Sequence, residues 1–167
     1  REIIFIQNFN VITGNIIGQI FGNSLLEEMI FRGILLIQLY LIFITKNSNK
    51  ITIIYSLAAS AIIFMLSHIP NRILTYAPDN LAIDTVSLLF GSTLLGIIFL
   101  KTKNLLFVVG FHSLVNAPSN IIVTNIPTEP IIFALVIIIT LKWDKIIGKE
   151  TEYLFPTAEP LGELKQL

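Results

Sequence analysis

The sequence predicts an all-α fold, a polytopic transmembrane helical bundle with about five or six spanning helices. Three observations carry that expectation. Of the 167 residues, 54% are hydrophobic and only 13% are charged, whereas soluble domains carry about 25% charged residues. The apolar residues gather into runs near the ~20 residues that cross ~30 Å of hydrocarbon. The lysines between those runs alternate in register with the crossings, as the positive-inside rule requires.

In chain order, the run at 3–21 is the least secure span, because it carries Gln7, Asn8, Asn10, Asn15 and Gln19. The run at 24–45 holds Glu27, Glu28 and Arg32 and then almost no charge until Lys46. Runs at 51–69, 84–100 and 104–124 are long and apolar. The run at 130–143 is short for a span and calls for tilt or for help from its flanks. With one crossing per run, Arg1, Lys46, Lys50, Lys101, Lys103, Lys142, Lys145 and Lys149 share one side, which is cytoplasmic or its equivalent. Arg72, Asp79, Asp84 and Glu129 fall on the other. Residues 1–149 form one membrane-embedded domain, and 150–167 form a polar tail. The start at Arg1 reads as a fragment or a processed product. No A-x-A-like site follows the first run, as a signal peptide would need, and no internal repeat is visible. Zero net charge gives no reason to expect a nucleic-acid partner. The absence of cysteine excludes disulfides, a thiol nucleophile and thiolate metal ligands.

Against this background the informative feature is Glu27-Glu28-Met29-Ile30-Phe31-Arg32. One ionisable group at bilayer depth costs at least ~2.5–3.5 kcal/mol, so an intramembrane charge is a functional hypothesis by default. Successive helical residues lie ~100° apart. Glu28 and Arg32 therefore stack in the favourable order for an ion pair, while Glu27 projects off that row and is placed for general acid or base chemistry. The two histidines of the chain are also at membrane depth. Phe64 precedes His68 by one turn, with Pro70 expected to end that helix, and His112 stacks over Asn116. A carboxylate, two imidazoles and a carboxamide could activate a water and hold an oxyanion. Each piece also has a plainer reading. Glu28–Arg32 could be a brace, His68 an interfacial carbonyl cap, and His112–Asn116 inter-helix glue worth roughly 0.6 kcal/mol per bond. Ser67 and Ser113 neighbour the histidines, but no G-x-S-x-G context supports a serine nucleophile.

At these residues the chain resembles the CPBP family, the CAAX-protease and bacteriocin-processing intramembrane proteins, also called Abi. The shared pattern is E-E-x-x-x-R, then F-x-x-x-H, then H-x-x-x-N, each on its own membrane helix. Here it stands as Glu27-Glu28-x-x-x-Arg32, Phe64-x-x-x-His68 and His112-x-x-x-Asn116. Phe90-Gly91, Gly96 and Lys103-Asn104-Leu105 are also similar, and the match covers about residues 23–117. The resemblance implies an intramembrane endopeptidase of glutamic type that uses no cofactor and acts on a peptide or membrane-protein substrate in the lipid bilayer. It implies Glu27 and His68 as the water-activating pair, His112 and Asn116 as the oxyanion site, and Glu28, Arg32 and Phe64 as supporting residues. Eukaryotic members remove a C-terminal tripeptide from prenylated proteins; bacterial members are linked to bacteriocin maturation, self-immunity or regulation of membrane proteins. The chain is shorter at its N-terminus than members with eight helices. Its charge count also puts the mouth of the site near the less basic face, whereas CAAX processing needs cytosolic access.

Three other functions compete with this reading, the first of them from the same residues. Glu27, His68 and His112 could form a His₂Glu zinc site with an open position, although no H-E-x-x-H pair is present. A membrane scaffold or bacteriocin self-immunity protein would bind a partner and cleave nothing. A transporter is the fourth reading, resting on Gly91 and Gly96 interrupting one segment, but no duplicated half accompanies them.

Overall fold

The computed structural model describes residues 9–44, 49–75, 78–116 and 128–148. The tail expected at 150–167 lies outside them. All the secondary structure among the described residues is helical. Its first part is one unbroken helical run made of α1 (Phe9–Gly18), a π-helical segment (Gln19–Ser24), α2 (Leu25–Glu28), a second π-helical segment (Met29–Leu36) and α3 (Ile37–Ile44). Then follow α4 (Asn49–Thr75), α5 (Pro78–Thr102), α6 (Leu105–Asn116), α7 (Thr128–Leu141) and the single turn α8 (Trp143–Ile146).

Two expectations are corrected here. The runs at 3–21 and 24–45, read as separate crossings, are joined, because two intervening residues (Gly22 and Asn23) continue a π turn and do not form a loop. Pro70 does not end its helix; α4 carries it inside and continues to Thr75. A proline removes one i→i−4 bond, and membrane helices tolerate that loss where neighbours and side-chain hydroxyls re-satisfy the backbone.

Among the described residues two helices, Lys50–Thr75 and Asn80–Thr102, are long and apolar enough to cross a membrane, against five or six expected for the whole chain. The π segments cut the first run into short α pieces. Apolar Leu105–Asn116 and Ile131–Leu141 are shorter than a span, and 117–127 between their helices is outside the described residues.

The side chains are distributed as lipid demands. Large aliphatic and aromatic residues such as Ile54, Leu74, Ile83, Phe90, Leu106 and Leu141 are exposed, Leu74 to 87%. The interior, by contrast, holds Ser24, Glu28, Arg32, Thr52, Ser56, Ser60, Ser92, Thr102, His112, Ser113 and Thr140 beside its apolar residues. Exposed apolar surface on this scale marks a membrane or partner surface. Lipid is as apolar as leucine, so helices there associate through small residues, close packing and polar bonds.

The chain divides into two compact units. One comprises the described residues of Arg1–Ile30 and Ile98–Glu150, the other those of Phe31–Ile97. In the second unit, Thr52, Ser56 and Ser60 lie four residues apart and are all buried on one face of α4. Ser60 Oγ donates to the Phe31 carbonyl at 3.1 Å. Across from α4, Gly96 of α5 sits so close to Leu57 Cδ1 that an added Cβ would collide with it.

In the first unit a tight corner turns α5 into α6. Lys103 takes a left-handed conformation, φ 52°, and its N–H bonds to the Phe99 carbonyl at 2.7 Å, the closing bond of an αL helix end. Asn104 then caps α6, its Oδ1 accepting the Phe107 N–H at 2.9 Å. Buried Trp143 packs on Phe107, ring centroids 4.8 Å apart. Lys101 pairs with Asp144 at the exposed rim.

Candidate active site

The first unit gathers Glu27, Glu28 and His112. Both glutamates belong to α2, a single α turn bracketed by the two π segments, and π turns inside α-helices recur at functional sites. The capped corner at Asn104 starts α6, which carries His112 on its buried side. Glu28 is fully buried, and its Oε1 lies 2.7 Å from His112 Nδ1. A carboxylate oxygen only accepts, so Nδ1 donates. That bond fixes the ring and sends Nε2 toward Glu27, whose Oε2 lies 3.7 Å away. Glu27 keeps a quarter of its side-chain surface exposed. The imidazole is thus flanked by a fully buried carboxylate and by a second carboxylate that is partly exposed. Asn116, one turn beyond His112, is exposed at the end of α6. Ser113 Oγ is committed to the Val109 carbonyl at 2.7 Å, a structural use of that hydroxyl.

The second unit gathers Arg32, Phe64 and His68. Arg32 is buried, and its Nη2 donates to both the carbonyl and the hydroxyl of Ser92, each at 2.9 Å. Its guanidinium carbon stands 4.8 Å over the Phe64 ring centroid, within cation–π range. His68 stacks on Phe64 with centroids 4.3 Å apart and planes 28° from parallel. Phe31 meets the same ring edge-on at 4.9 Å. His68 Nδ1 lies 2.9 Å from the Phe64 carbonyl, which can only accept. In the neutral ring the proton therefore sits on Nδ1 and the lone pair on Nε2. Ser67 Oγ donates to the same carbonyl at 2.7 Å.

Sequence spacing alone suggested that Glu28 and Arg32 face each other. Each also has a partner on another helix, His112 for Glu28 and Ser92 for Arg32. Ser92 was not among the expected residues. Among the described residues no group of three or more His, Asp or Glu side chains is arranged to hold a metal ion.

Residues 9–118, more than half of the chain, match the protein family described as type II CAAX prenyl endopeptidase Rce1-like. The chain matches no curated protein and no solved structure.

Proposed function

We propose that this chain, which belongs to the type II CAAX prenyl endopeptidase Rce1-like family, hydrolyses peptide bonds with a water activated by Glu27 and His68 and an oxyanion held by His112 and Asn116. The family is one of membrane-embedded proteases. The observation that best supports the reading is His112 itself, an imidazole buried in an apolar chain with a carboxylate at each ring nitrogen. Such a group is expensive at membrane depth and is kept there for chemistry or for a specific contact.

In this reading the Glu27 carboxylate accepts a proton from water as the oxygen attacks the scissile carbonyl carbon. His68, with its Nδ1 proton committed to the Phe64 carbonyl, offers Nε2 as the second acceptor. The carbonyl oxygen becomes an oxyanion and takes hydrogen bonds from the Asn116 amide and from His112 Nε2–H, the ring acting in its doubly protonated form with Nδ1–H kept on Glu28. Glu27 then returns the proton to the departing nitrogen. The C–N bond breaks, leaving a carboxylic acid and an amine; the acid's proton passes to the amine, giving a carboxylate and an ammonium group. Glu28 works through His112, holding its ring in one orientation.

The substrate class that follows from the family is the C-terminal segment of a prenylated protein. The loop charges, which put the glutamates toward the less basic side, point instead to a substrate that enters from that face. One experiment separates the two. Purified protein is given a farnesylated CAAX peptide, the same peptide without lipid, and a quenched library of membrane-protein segments, each with and without chelator. Release of an intact C-terminal tripeptide from the lipidated peptide alone, insensitive to chelator, is the expected result. Cleavage lost with chelator overturns the water-activation roles in favour of a metal. Absence of cleavage with every substrate by folded protein overturns the protease reading for this chain.

A further inference from the structure

The second proton acceptor in the proposed reaction is His68, and a histidine works only if its ring is aimed. Three contacts in the second unit bear on that aim. Ser92 on α5 takes both a backbone and a side-chain hydrogen bond from Arg32 Nη2 at 2.9 Å. Arg32 lies over Phe64, and Phe64 is the surface on which His68 stacks. Serine, arginine and phenylalanine are all buried. Each contact therefore runs through packed protein, where a displaced group has no water to take up the slack.

We infer that Ser92 is a positioning residue. Through Arg32 and the Phe64 ring it fixes the orientation of the His68 imidazole. His68 Nδ1 lies 2.9 Å from the Phe64 carbonyl and 3.2 Å from Ser67 Oγ, while the face of its ring rests on Phe64. Phe64 is in turn clamped by Phe31 edge-on and by the cation above it. Removing the Ser92 hydroxyl takes away one of the two hydrogen bonds that Nη2 makes to Ser92, and the backbone carbonyl remains. The guanidinium then shifts over the ring, and the ring with its stacked imidazole follows. Glycines bracket Ser92 on the same helix, Gly91 directly before it and Gly96 one turn on, so α5 offers no other hydroxyl beside it except Thr93. That hydroxyl is already bound to the Leu89 carbonyl at 2.8 Å.

The inference rests on the proposed role of His68 for its catalytic consequence but not for its structural one, and the test keeps the two apart. The chain contains only two histidines, so ring-labelled protein gives two Hε1–Cε1 signals, assigned with His68→Gln. In Ser92→Ala the His68 signal is expected to move while that of His112 stays. Ser92→Thr, which keeps the hydroxyl, is expected to restore it. Arg32→Met is expected to move it further. In the cleavage assay, Ser92→Ala is expected to lower kcat about tenfold with KM unchanged, the loss of about one well-made orienting bond, and Ser92→Thr to recover most of it. An unmoved His68 signal in both Ser92→Ala and Arg32→Met, in protein whose melting shows it folded, overturns the inference. Equal movement of both histidine signals also overturns it, because that is general loosening. If wild-type protein cleaves nothing yet the His68 signal moves alone, the positioning contact stands and only the protease reading falls.

Discussion

Replacing Glu28 by alanine removes the acceptor that holds His112, and the structure sets the size of the effect. The contact is 2.7 Å long and its carboxylate is fully buried, the short distance of a charge-assisted bond. Inter-helix hydrogen bonds in membrane proteins average only about 0.6 kcal/mol. That mean covers neutral and partly wetted bonds. A hydrogen bond to a charged group contributes about 1.5–3 kcal/mol, and the full burial of this acceptor puts Glu28→Ala at the upper end, an expected destabilisation of about 3 kcal/mol. Glu28→Gln keeps an acceptor oxygen of the same shape and is cheaper to bury, so it should lose only about 1 kcal/mol. Unfolding in SDS, followed through the single tryptophan, reports on the right place, because Trp143 is buried in the same unit. A double-mutant cycle with His112→Ala should show a coupling of at least about 1.5 kcal/mol, against the roughly 0.5 kcal/mol within which independent sites add. Leu26→Ala, at an exposed neighbour, is the control. Additive losses for Glu28→Ala and His112→Ala would mean that the contact does not hold the ring, and the orienting role of Glu28 would fall with it.

Further outcomes follow from the frame around the site. Lys103→Gly relieves a left-handed backbone that costs an L-residue about 1–2 kcal/mol, less the added entropy of glycine, about 0.5–1 kcal/mol; a net gain of about 0.5 kcal/mol is expected in the same SDS unfolding. Asn104→Ala removes the cap of α6 and should cost about 1 kcal/mol; because α6 carries His112, activity should fall as well. Gly96→Ala should destabilise by about 1 kcal/mol, the low end for overpacking, since the obstructing Leu57 Cδ1 is the end of a flexible side chain. Leu57→Ala should suppress that loss when the two are combined.

Much of this arrangement is legible in the sequence, and the residues show where legibility stops. Composition and run length give the helical class, and three spaced motifs bring out Glu27, Glu28, Arg32, Phe64, His68, His112 and Asn116. The stacking of His68 on Phe64 is a local i, i+4 contact, so spacing alone finds it. The contacts of Glu28 with His112 and of Arg32 with Ser92 are long-range, 84 and 60 residues apart, and no periodicity within one helix encodes them. The π segments are hidden for a related reason. They change the winding locally without a proline to announce them; Gly22 lies in the first and Arg32 and Gly33 in the second, and none of these residues specifies a π turn. Pro70 shows the opposite error, a strong local stop signal overridden by a helix that continues to Thr75.

The glutamic mechanism stands or falls on Glu27, so the decisive measurement is the turnover of a farnesylated CAAX peptide by purified Glu27→Gln beside wild type, both in chelator. Gln keeps the shape and cannot take the proton. The account expects loss of at least about 10²-fold in kcat, the low end of what a positioned general base contributes, with KM and SDS stability unchanged. Undiminished cleavage by folded Glu27→Gln would contradict it.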